Sequence, residues 1–358
     1  MNDQMDIPSF DVLVIGAGPA GSEASLAAAA AGSRTLCLTI NLDTAGYPPA
    51  TPALIDGPDD PRVLLLEEMT ALGARLPDAL AREGVVAESR PAGKLLIDRR
   101  LLGLAYKELL ENEEGLELRQ ALVTSLEPSA DGWIVGTKLG EYFSTATVVI
   151  AAGTFLRARV NDGGSIVPGG RIGEIPANAL AKYLQNAGLQ LIEVEAATMP
   201  RVDIRSLDHE VDYKSKYGIR LLADGRQLGE MLGYGLQSDG NRDSQLRLLR
   251  MHTGLSEAWV TRASYSVLHY VLAAGQIDAN LEARTLPGLF FAGRAAGSCS
   301  YLEAATLGLL AGRQAASRQR AHEAGMLISS TIYVSKLCQR IAEQESRPVT
   351  IRTDEPGC

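Results

Sequence analysis

The sequence has little of what marks exported, membrane-spanning or metal-binding proteins. Its four cysteines are too far apart for a Cys-x-x-Cys metal site and have no histidines at ligand spacing. No apolar run approaches the roughly 20 residues that cross a bilayer, and residues 1–10 lack the apolar segment of a secretion signal. We therefore expect a cytoplasmic protein in a reducing compartment, with no bound metal and no membrane contact.

Basic residues are outnumbered as well. The chain has 34 Lys and Arg against 43 Asp and Glu, which gives a formal net charge of −9. The net field therefore does not attract a phosphate backbone, and only a local basic patch could do so. The remaining composition is that of a globular protein, with 46% hydrophobic and 22% charged residues over 358 positions. This length predicts roughly two domains of about 150 residues each.

The first motif is a glycine-rich turn between a predicted strand and a predicted helix. Residues 10–15 form an apolar run typical of a buried parallel strand, and the alanines of residues 22–31 favour a helix. The spacing Gly-x-Gly-x-x-Gly between them indicates a dinucleotide site, because the glycines allow a tight turn, close approach of a pyrophosphate and close helix packing. A purely structural turn is the alternative. The predicted contacts are Gly16, Gly18, Pro19, Ala20 and Gly21.

The second strand, predicted over residues 34–40, lacks the acidic residue that usually binds a ribose at its end. Thr39 and Asn41 stand there instead, and both side chains can hydrogen-bond a hydroxyl group. We expect them to contact the ribose; a plain strand end is the alternative, and Asp43 is a nearby substitute.

The order of the later elements resembles the flavoproteins that contain two dinucleotide folds. Residues 122–144 predict an antiparallel meander, a buried strand leads into Ala152-Gly153-Thr154, and a late strand at residues 289–292 precedes a long helix from Tyr301. The resemblance implies FAD, with the amino end of the late helix directed at the flavin. The further cofactor contacts that we predict are Val123, Ala152, Gly153, Thr154, Gly293, Arg294, Tyr301, Glu303 and Ala304.

Two of the polar residues near this late strand allow more than one interpretation. Arg294 stands where many flavoproteins place an aspartate, and it could contact the pyrophosphate or the flavin; a surface salt bridge is the alternative. His269 lies in an alternating apolar stretch, which favours a hydrogen-bonded structural residue over a catalytic base. No residue is assigned a catalytic role.

Six segments together resemble the MnmG/GidA family. They are Val12-Leu-Val-Ile-Gly-Ala-Gly-Pro-Ala-Gly, Leu38-Thr-Ile-Asn-Leu-Asp-Thr-Ala-Gly, Ala152-Gly-Thr-Phe-Leu, Gly169-Gly-Arg-Ile-Gly, Met199-Pro-Arg-Val-Asp, and Leu289-Phe-Phe-Ala-Gly-Arg-Ala-Ala-Gly with Tyr301-Leu-Glu-Ala-Ala. The resemblance implies modification of the wobble uridine of tRNA at C5 with FAD, NADH and a methylene donor. A folate-dependent tRNA uracil methyltransferase family is a more distant relative.

The chain also departs from the family pattern. Ala50 stands where the family carries a cysteine, so no nucleophile occupies that position. The segment after Met199-Pro-Arg-Val-Asp203 is short, which predicts that much of the region linked with NADH binding is missing. Only about 40 residues follow Ser317, so the helical domain that the resemblance links with tRNA and a partner protein is expected to be absent.

We therefore predict an α/β fold: a FAD-binding two-dinucleotide-fold domain, Rossmann-like with a parallel sheet and an antiparallel meander, plus a smaller inserted α+β region. The expected limits are 1–160 and 280–325 for the FAD domain, 161–279 for the insert and 326–358 for a helical tail. The predicted function is a FAD-dependent oxidoreductase resembling the MnmG/GidA tRNA-modifying flavoproteins. An oxidoreductase with a small-molecule or protein redox partner and a non-catalytic flavin-binding subunit are the alternatives. NADH or NADPH as electron donor, a tRNA or protein partner and a homodimer complete the expectations.

Overall fold

The computed structural model describes residues 7–49, 52–57, 59–90, 94–198, 200–206, 220–223, 230–234, 247, 250–251, 256–318, 332–343 and 350–351. Within these ranges the helices are α1 (Pro19–Ala30), α2 (Arg62–Ala71), α3 (Leu76–Leu80), α4 (Arg99–Asn112), α5 (Asn178–Asn186), α6 (Tyr301–Arg318) and α7 (Ile332–Glu343). The strands are β1 (Ser9–Ile15), β2 (Thr35–Thr39), β3 (Ala53–Asp56), β4 (Val86–Arg90), β5 (Lys94–Ile97), β6 (Leu116–Gln120), β7 (Val123–Ser129), β8 (Gly132–Thr137), β9 (Tyr142–Ile150), β10 (Arg159–Asn161), β11 (Ile166–Pro168), β12 (Leu191–Ala197), β13 (Arg201–Asp203), β14 (Arg220–Ala223), β15 (Glu230–Tyr234), β16 (Val260–Arg262), β17 (Ser266–Leu272), β18 (Leu289–Phe291) and β19 (Thr350–Ile351).

A seven-stranded sheet in the order β6-β2-β1-β9-β8-β7, with β18 also on β9, forms the centre of the fold. Strands β6, β2, β1, β9 and β18 are parallel, whereas β7 and β8 join β9 as an antiparallel meander. The parallel strands are apolar because both of their faces are covered, and Val12, Leu13 and Val14 of β1 are fully buried. The predicted Rossmann-like parallel sheet with an antiparallel meander is confirmed.

Strand β9 pairs with two different strands along one of its edges. Its first half, Tyr142–Thr145, pairs with β8, and its last residues, Val148–Ile150, pair with β18. The sequence predicted two short strands here, but the residues form one strand of nine residues because each half has its own partner.

Helices α1 and α6 come from opposite ends of the chain and pack backbone against backbone. A Cβ atom on Gly308 would lie 2.0 Å from the carbonyl oxygen of Ala20, and one on Gly312 would lie 2.2 Å from that of Ala24. Only glycine leaves room for this approach, so α6 covers α1 along two turns. The amino ends of both helices line one cavity, described below.

The segment before α4 differs from the prediction. The apolar residues of positions 94–112 recur at helical spacing, which predicts a helix from residue 94, but Lys94–Ile97 form β5 in a small sheet with β3 and β4. The helix begins at Arg99 because the Asp98 carboxylate accepts hydrogen bonds from the backbone N–H groups of Arg100 and Leu101 at 2.9 and 3.1 Å. The preceding segment, predicted as an irregular loop, contains β3.

Two further sheets follow the main one in the chain. One has five strands in the order β11-β10-β17-β12-β19, and the other has four in the order β14-β15-β13-β16. Together with α5 they form the smaller α+β region that the sequence predicted. The helix expected over residues 242–253 lies almost wholly outside the described residues.

The tail after residue 326 contains helix α7, which is tied to α2. The carboxylate of Glu68 accepts hydrogen bonds from the N–H groups of Tyr333 and Val334 at 2.8–3.0 Å. Strand β19 then pairs with β12, so the tail adds a strand to the five-stranded sheet as well. The domain limits at residues 160, 280 and 325 stay predictions. No helix in the described ranges combines the length and the apolar character that a membrane crossing requires.

Candidate functional site

A cavity of about 300 Å³ lies where the carboxyl ends of the parallel strands meet the amino ends of α1 and α6. Ligands of open α/β sheets bind at this end of the strands, because the helix dipoles and loops converge there. The residues from the main sheet and its helices that line it include Gly16, Ala17, Gly18, Pro19, Ala20, Thr39, Val123, Ala152, Gly153, Thr154, Arg294, Tyr301 and Ala304.

The three glycines of the first turn occupy distinct environments. Gly16 has φ +105°, and a Cβ atom there would lie 2.4 Å from the carbonyl oxygen of Ala151. A Cβ atom on Gly21 would lie 1.6 Å from the carbonyl oxygen of Gly16, whereas one on Gly18 would meet no atom within 4 Å. Gly18 precedes α1 as its N-cap without a side-chain hydrogen bond, so the amino end of α1 faces open space in the cavity. This is the arrangement that a pyrophosphate needs.

Four of the predicted cofactor residues do not line the cavity: Gly21, Asn41, Gly293 and Glu303. Gly21 holds α1 against the turn. The side chain of Asn41 accepts a hydrogen bond from the N–H of Asp43 at 2.9 Å and caps a short 3-10 helix. Gly293 approaches Ala20, since a Cβ atom on it would be 2.7 Å from the Ala20 side chain. Their direct contact with a cofactor stays a prediction.

Glu303 positions the loop before α6. Its carboxylate accepts a hydrogen bond from the N–H of Cys299 at 2.8 Å and one from the Arg340 guanidinium at 2.6 Å. Arg340 belongs to α7, so this carboxylate also ties the tail helix to the start of α6. Ser298, Cys299 and Ser300 of the same loop line the cavity.

Arg294 is held by a buried histidine. Its Nε donates to Nε2 of His269 at 3.2 Å, and Nη1 donates to the carbonyl oxygen of Ser298 at 3.1 Å. Since Nε2 accepts, Nδ1 of His269 carries the proton and donates to the carbonyl oxygen of Val267 at 3.0 Å. Burial and the neighbouring Arg294 charge lower the pKa of His269 to about 3. His269 is therefore a neutral, hydrogen-bonded residue, and Arg294 carries the positive charge of the pair.

A buried acid lies beneath the cavity, and the sequence reasoning missed it. The carboxylate of Glu23, on α1, accepts hydrogen bonds from the N–H of Arg75 at 3.0–3.1 Å and from the Tyr106 hydroxyl at 2.7 Å. The hydroxyl of Tyr301 donates to the carbonyl oxygen of Gly46 at 2.8 Å. Burial raises the pKa of Glu23, despite these donors, and raises the pKa values of Tyr106 and Tyr301 well above their ordinary value. The one available signal was a lone Glu in the alanine-rich helix after the glycine turn.

Basic side chains collect at another part of the cavity wall. Arg201 and Arg262 line it with Tyr47 and Tyr265, and the buried Arg99 lies behind them. The Arg99 guanidinium lies 5.4 Å from the ring of Tyr47, and it donates to the carbonyl oxygen of Pro49 at 3.2 Å. Sequence reasoning quoted Arg201 only as part of a motif. No group of three or more metal-ligating side chains occurs among the described residues.

Comparison with known proteins identifies the family. The sequence profile of the family described as Glucose inhibited division protein A matches residues 11–218 and 213–323. The chain belongs to the GidA family. The predicted membership is thereby confirmed, and position 50, where the family carries a cysteine, lies outside the described residues.

Individual GidA relatives agree with this assignment. The tRNA uridine 5-carboxymethylaminomethyl modification enzyme MnmG of Geobacter metallireducens is 28% identical over 429 positions, which cover 97% of this chain and 67% of that enzyme. The MnmG of Bacillus licheniformis is 27% identical with the same coverage. Since 429 exceeds the 358 residues of this chain, the relative holds segments within the aligned region that have no counterpart here.

Solved structures support the fold. Aquifex aeolicus GidA superposes with a TM-score of 0.84 at 24% identity, over 93% of this chain and 67% of that one. A GidA-related protein from Thermus thermophilus gives 0.53 at 20% identity, over 85% of this chain and 96% of that one. The chain therefore spans about two thirds of the length of the GidA protein and of the MnmG enzymes it matches.

Proposed function

We propose that this GidA-family chain is a FAD-dependent oxidoreductase that acts on tRNA uridine. The observation that carries the proposal is the cavity between the amino ends of α1 and α6, with open space at Gly18. A glycine turn of this geometry at a helix amino end suits a dinucleotide pyrophosphate. The tRNA substrate comes from the names of the MnmG relatives, which describe modification of tRNA uridine.

The residues that would hold FAD divide between two ends of the cavity. Backbone N–H groups at the amino end of α1 would bind the pyrophosphate, and Thr39 at the end of β2 would bind the ribose. The turn Ala152–Thr154 and the loop before α6 would enclose the flavin. When bound, FAD supplies two-electron redox chemistry.

The protein's own groups prepare the flavin end for negative charge. The amino end of α6 points its dipole into the cavity, and Glu303 fixes the loop that precedes it. The neutral His269 orients Arg294 without adding a second positive charge, so the guanidinium supplies the positive charge of this pair at the cavity wall. These groups would stabilise an anionic reduced cofactor.

The electron donor and the binding partners are further parts of the proposal. NADH or NADPH would deliver electrons to the flavin, and the reaction on tRNA or a redox protein would take them from the reduced flavin. Because the net charge is −9, tRNA binding would require a local basic surface or a partner subunit. A homodimer also stays a prediction.

The first experiment is purification followed by anaerobic titration. We expect a yellow protein whose visible flavin absorbance disappears on addition of NADH or NADPH, with a rate that increases when bulk tRNA and methylenetetrahydrofolate are present. A protein that is colourless and cannot be reconstituted with FAD would refute the flavin assignment. A rate of flavin reduction that does not change when tRNA is added, together with an unchanged tRNA nucleoside profile in a deletion strain, would refute the tRNA assignment alone.

A flavin oxidoreductase with a small-molecule or protein partner is the second candidate. The segments that MnmG of Geobacter metallireducens holds and this chain lacks favour it, because the cavity residues are present without them. Turnover with a small-molecule acceptor in the absence of tRNA would select this candidate. A flavin that no nicotinamide, thiol or quinone donor reduces would indicate a non-catalytic flavin-binding subunit instead.

A further inference from the structure

Two arginines from outside the main sheet line the proposed FAD cavity. Arg201 lies on β13 and Arg262 lies on β16, in the four-stranded sheet. Their Cα atoms are register partners across this antiparallel pair, which places two guanidinium groups on neighbouring strands at the same level. The glycine turn and α1 belong to a different sheet, so the arginine pair and the pyrophosphate site are built from separate elements.

This arrangement is costly unless a negative charge compensates it. Like charges directly opposite each other on antiparallel strands destabilise the pair. The buried Arg99 adds a third positive charge nearby, and burial, together with the charges of Arg201 and Arg99, lowers the pKa of Arg262. The cluster therefore makes this part of the cavity wall positive, which favours binding of an anion.

Arg262 is the member with spare hydrogen-bonding capacity. In the part of the chain that the structure describes, no carboxylate forms an ion pair with it, and its buried Nε has no hydrogen-bond partner. Its guanidinium lies 5.4 Å from the ring of Tyr265. A buried donor without a partner costs free energy, so this group is expected to meet an acceptor when the cavity is filled.

Tyrosines hold the pair in place. Arg201 donates to the hydroxyl of Tyr47 at 3.5 Å, while the ring of Tyr47 packs against the Arg99 guanidinium. Stacking and hydrogen bonding of this kind fix the plane of a guanidinium. The pair is thus prepared in advance for a planar or tetrahedral oxyanion.

We propose that Arg201 and Arg262 form a subsite for an oxyanion, the carboxylate or phosphate group of the molecule on which the flavin acts. This inference rests on the proposed function, because it assigns the rest of the cavity to FAD. The planar guanidinium matches both kinds of oxyanion through paired N–H donors. The whole cavity measures about 300 Å³, which excludes a nucleic-acid duplex.

The test uses calorimetric titration of the full-length, FAD-loaded protein with two probes, inorganic phosphate and acetate, at constant ionic strength set with chloride. The variants are Arg262→Gln, which removes the charge, and Arg262→Lys, which keeps the charge but loses the planar donor pair. Arg159→Gln is the matched control, because Arg159 is exposed, pairs with Glu193 and does not line the cavity. FAD content is measured separately from visible absorbance.

We expect one probe to bind the parent protein and Arg159→Gln equally, with affinity at least about tenfold lower in Arg262→Gln and intermediate in Arg262→Lys. Binding of phosphate identifies a phosphate-bearing ligand, and binding of acetate identifies a carboxylate. Failure of both probes to bind a FAD-loaded protein would overturn the subsite and leave the proposed function intact. Loss of FAD from Arg262→Gln and Arg262→Lys would also overturn it, since the pair would then hold the cofactor. A parent protein that never binds FAD would instead refute the proposed function, and the same titration of the cofactor-free protein would still decide whether the pair binds an anion.

Discussion

A Cβ atom on Gly21 would lie 1.6 Å from the carbonyl oxygen of Gly16, far below the 3.0 Å under which neighbouring atoms must shift. Gly18, between them in the chain, has no neighbour within 4 Å of the same position. The two glycines therefore serve different purposes in one motif: Gly21 allows the helix to pack, and Gly18 leaves space in the cavity. Alanine substitutions separate these purposes.

We expect Gly21→Ala to lower the free energy of unfolding by at least about 1–3 kcal/mol, because backbone atoms must move to admit the methyl group. Gly18→Ala is the matched variant: its backbone, at φ −67° and ψ −173°, accepts alanine, so the cofactor-free protein should lose less than about 1 kcal/mol. Its FAD affinity should nevertheless fall at least about tenfold. Urea unfolding and FAD titration check both, and equal losses of stability in the two variants would contradict this division.

Glu23 makes the free energy of unfolding depend on pH. Since burial raises its pKa in the native state, the native carboxyl keeps its proton above pH 4.5, where the unfolded carboxyl loses it. The unfolded state then binds fewer protons, so this group lowers stability as pH rises, by up to about 1.4 kcal/mol per pH unit. We expect Glu23→Gln to become progressively more stable relative to the parent as the pH rises above 4.5.

Tyr106→Phe is the companion variant for Glu23. It removes the hydroxyl that donates to this carboxylate, which leaves a buried acceptor with one donor fewer and costs about 1–3 kcal/mol. The loss should grow with pH, because the ionised carboxylate needs that donor most. Denaturant curves at several pH values that remain parallel for all three proteins would show that Glu23 does not titrate in this range.

His269 contributes a pH dependence of stability that is opposite in sign to that of Glu23. Its pKa of about 3 in the native state lies below the ordinary value of 6.5, so only the unfolded state gains a proton as pH falls through 6.5. Stability from this residue is complete above pH 6.5 and declines below it, by up to about 1.4 kcal/mol per pH unit. We expect His269→Gln to reduce this acid sensitivity, as measured by thermal unfolding of the cofactor-free protein. If His269→Gln loses stability below pH 6.5 as steeply as the parent protein does, the assignment of His269 as neutral in the native state is refuted.

Glu303 should affect the cofactor site through the loop that it holds. We expect Glu303→Ala to weaken FAD binding, because the N–H of Cys299 loses its acceptor and the start of α6 loosens. Arg340→Ala removes only the ion pair between Glu303 and the tail helix, and the Arg340 side chain is 41% exposed. We expect this variant to change the free energy of unfolding by less than about 1 kcal/mol and to leave FAD affinity unaltered. A parallel fall in FAD affinity in Arg340→Ala would show that α7 is part of the site.

The local parts of the fold were predictable from the sequence because local rules decide them. The strand, glycine turn and helix at residues 9–30 follow from apolar runs and helix propensity, as do the late strand and α6. The start of α4 was placed too early, because Lys94–Ile97 are apolar enough for either structure and only their pairing with β3 and β4 selects a strand.

Parts of the site whose residues lie close together in the sequence were predictable, and parts built from distant residues were not. The glycine turn carries its own spacing and could be located, whereas Glu23 meets Tyr106 across 83 positions and no sequence pattern joins them. The opposition of Arg201 and Arg262 depends on the register of two strands separated by a long segment. Such pairs become visible only after the chain has folded, since tertiary contacts rather than local propensity create them.

The sharing of β9 between β8 and β18 has a consequence for synthesis. As the chain leaves the ribosome, the first nine strands can assemble early, yet the carboxyl end of β9 has an unpaired edge until Leu289–Phe291 emerge. Helix α1 likewise waits for Gly308 and Gly312 before its exposed side is covered. The nascent protein thus carries both an open sheet edge and an uncovered helix from the completion of β9 at Ile150 until Leu289–Phe291 emerge. Chaperones would be needed in this interval, and premature termination would release an aggregating fragment.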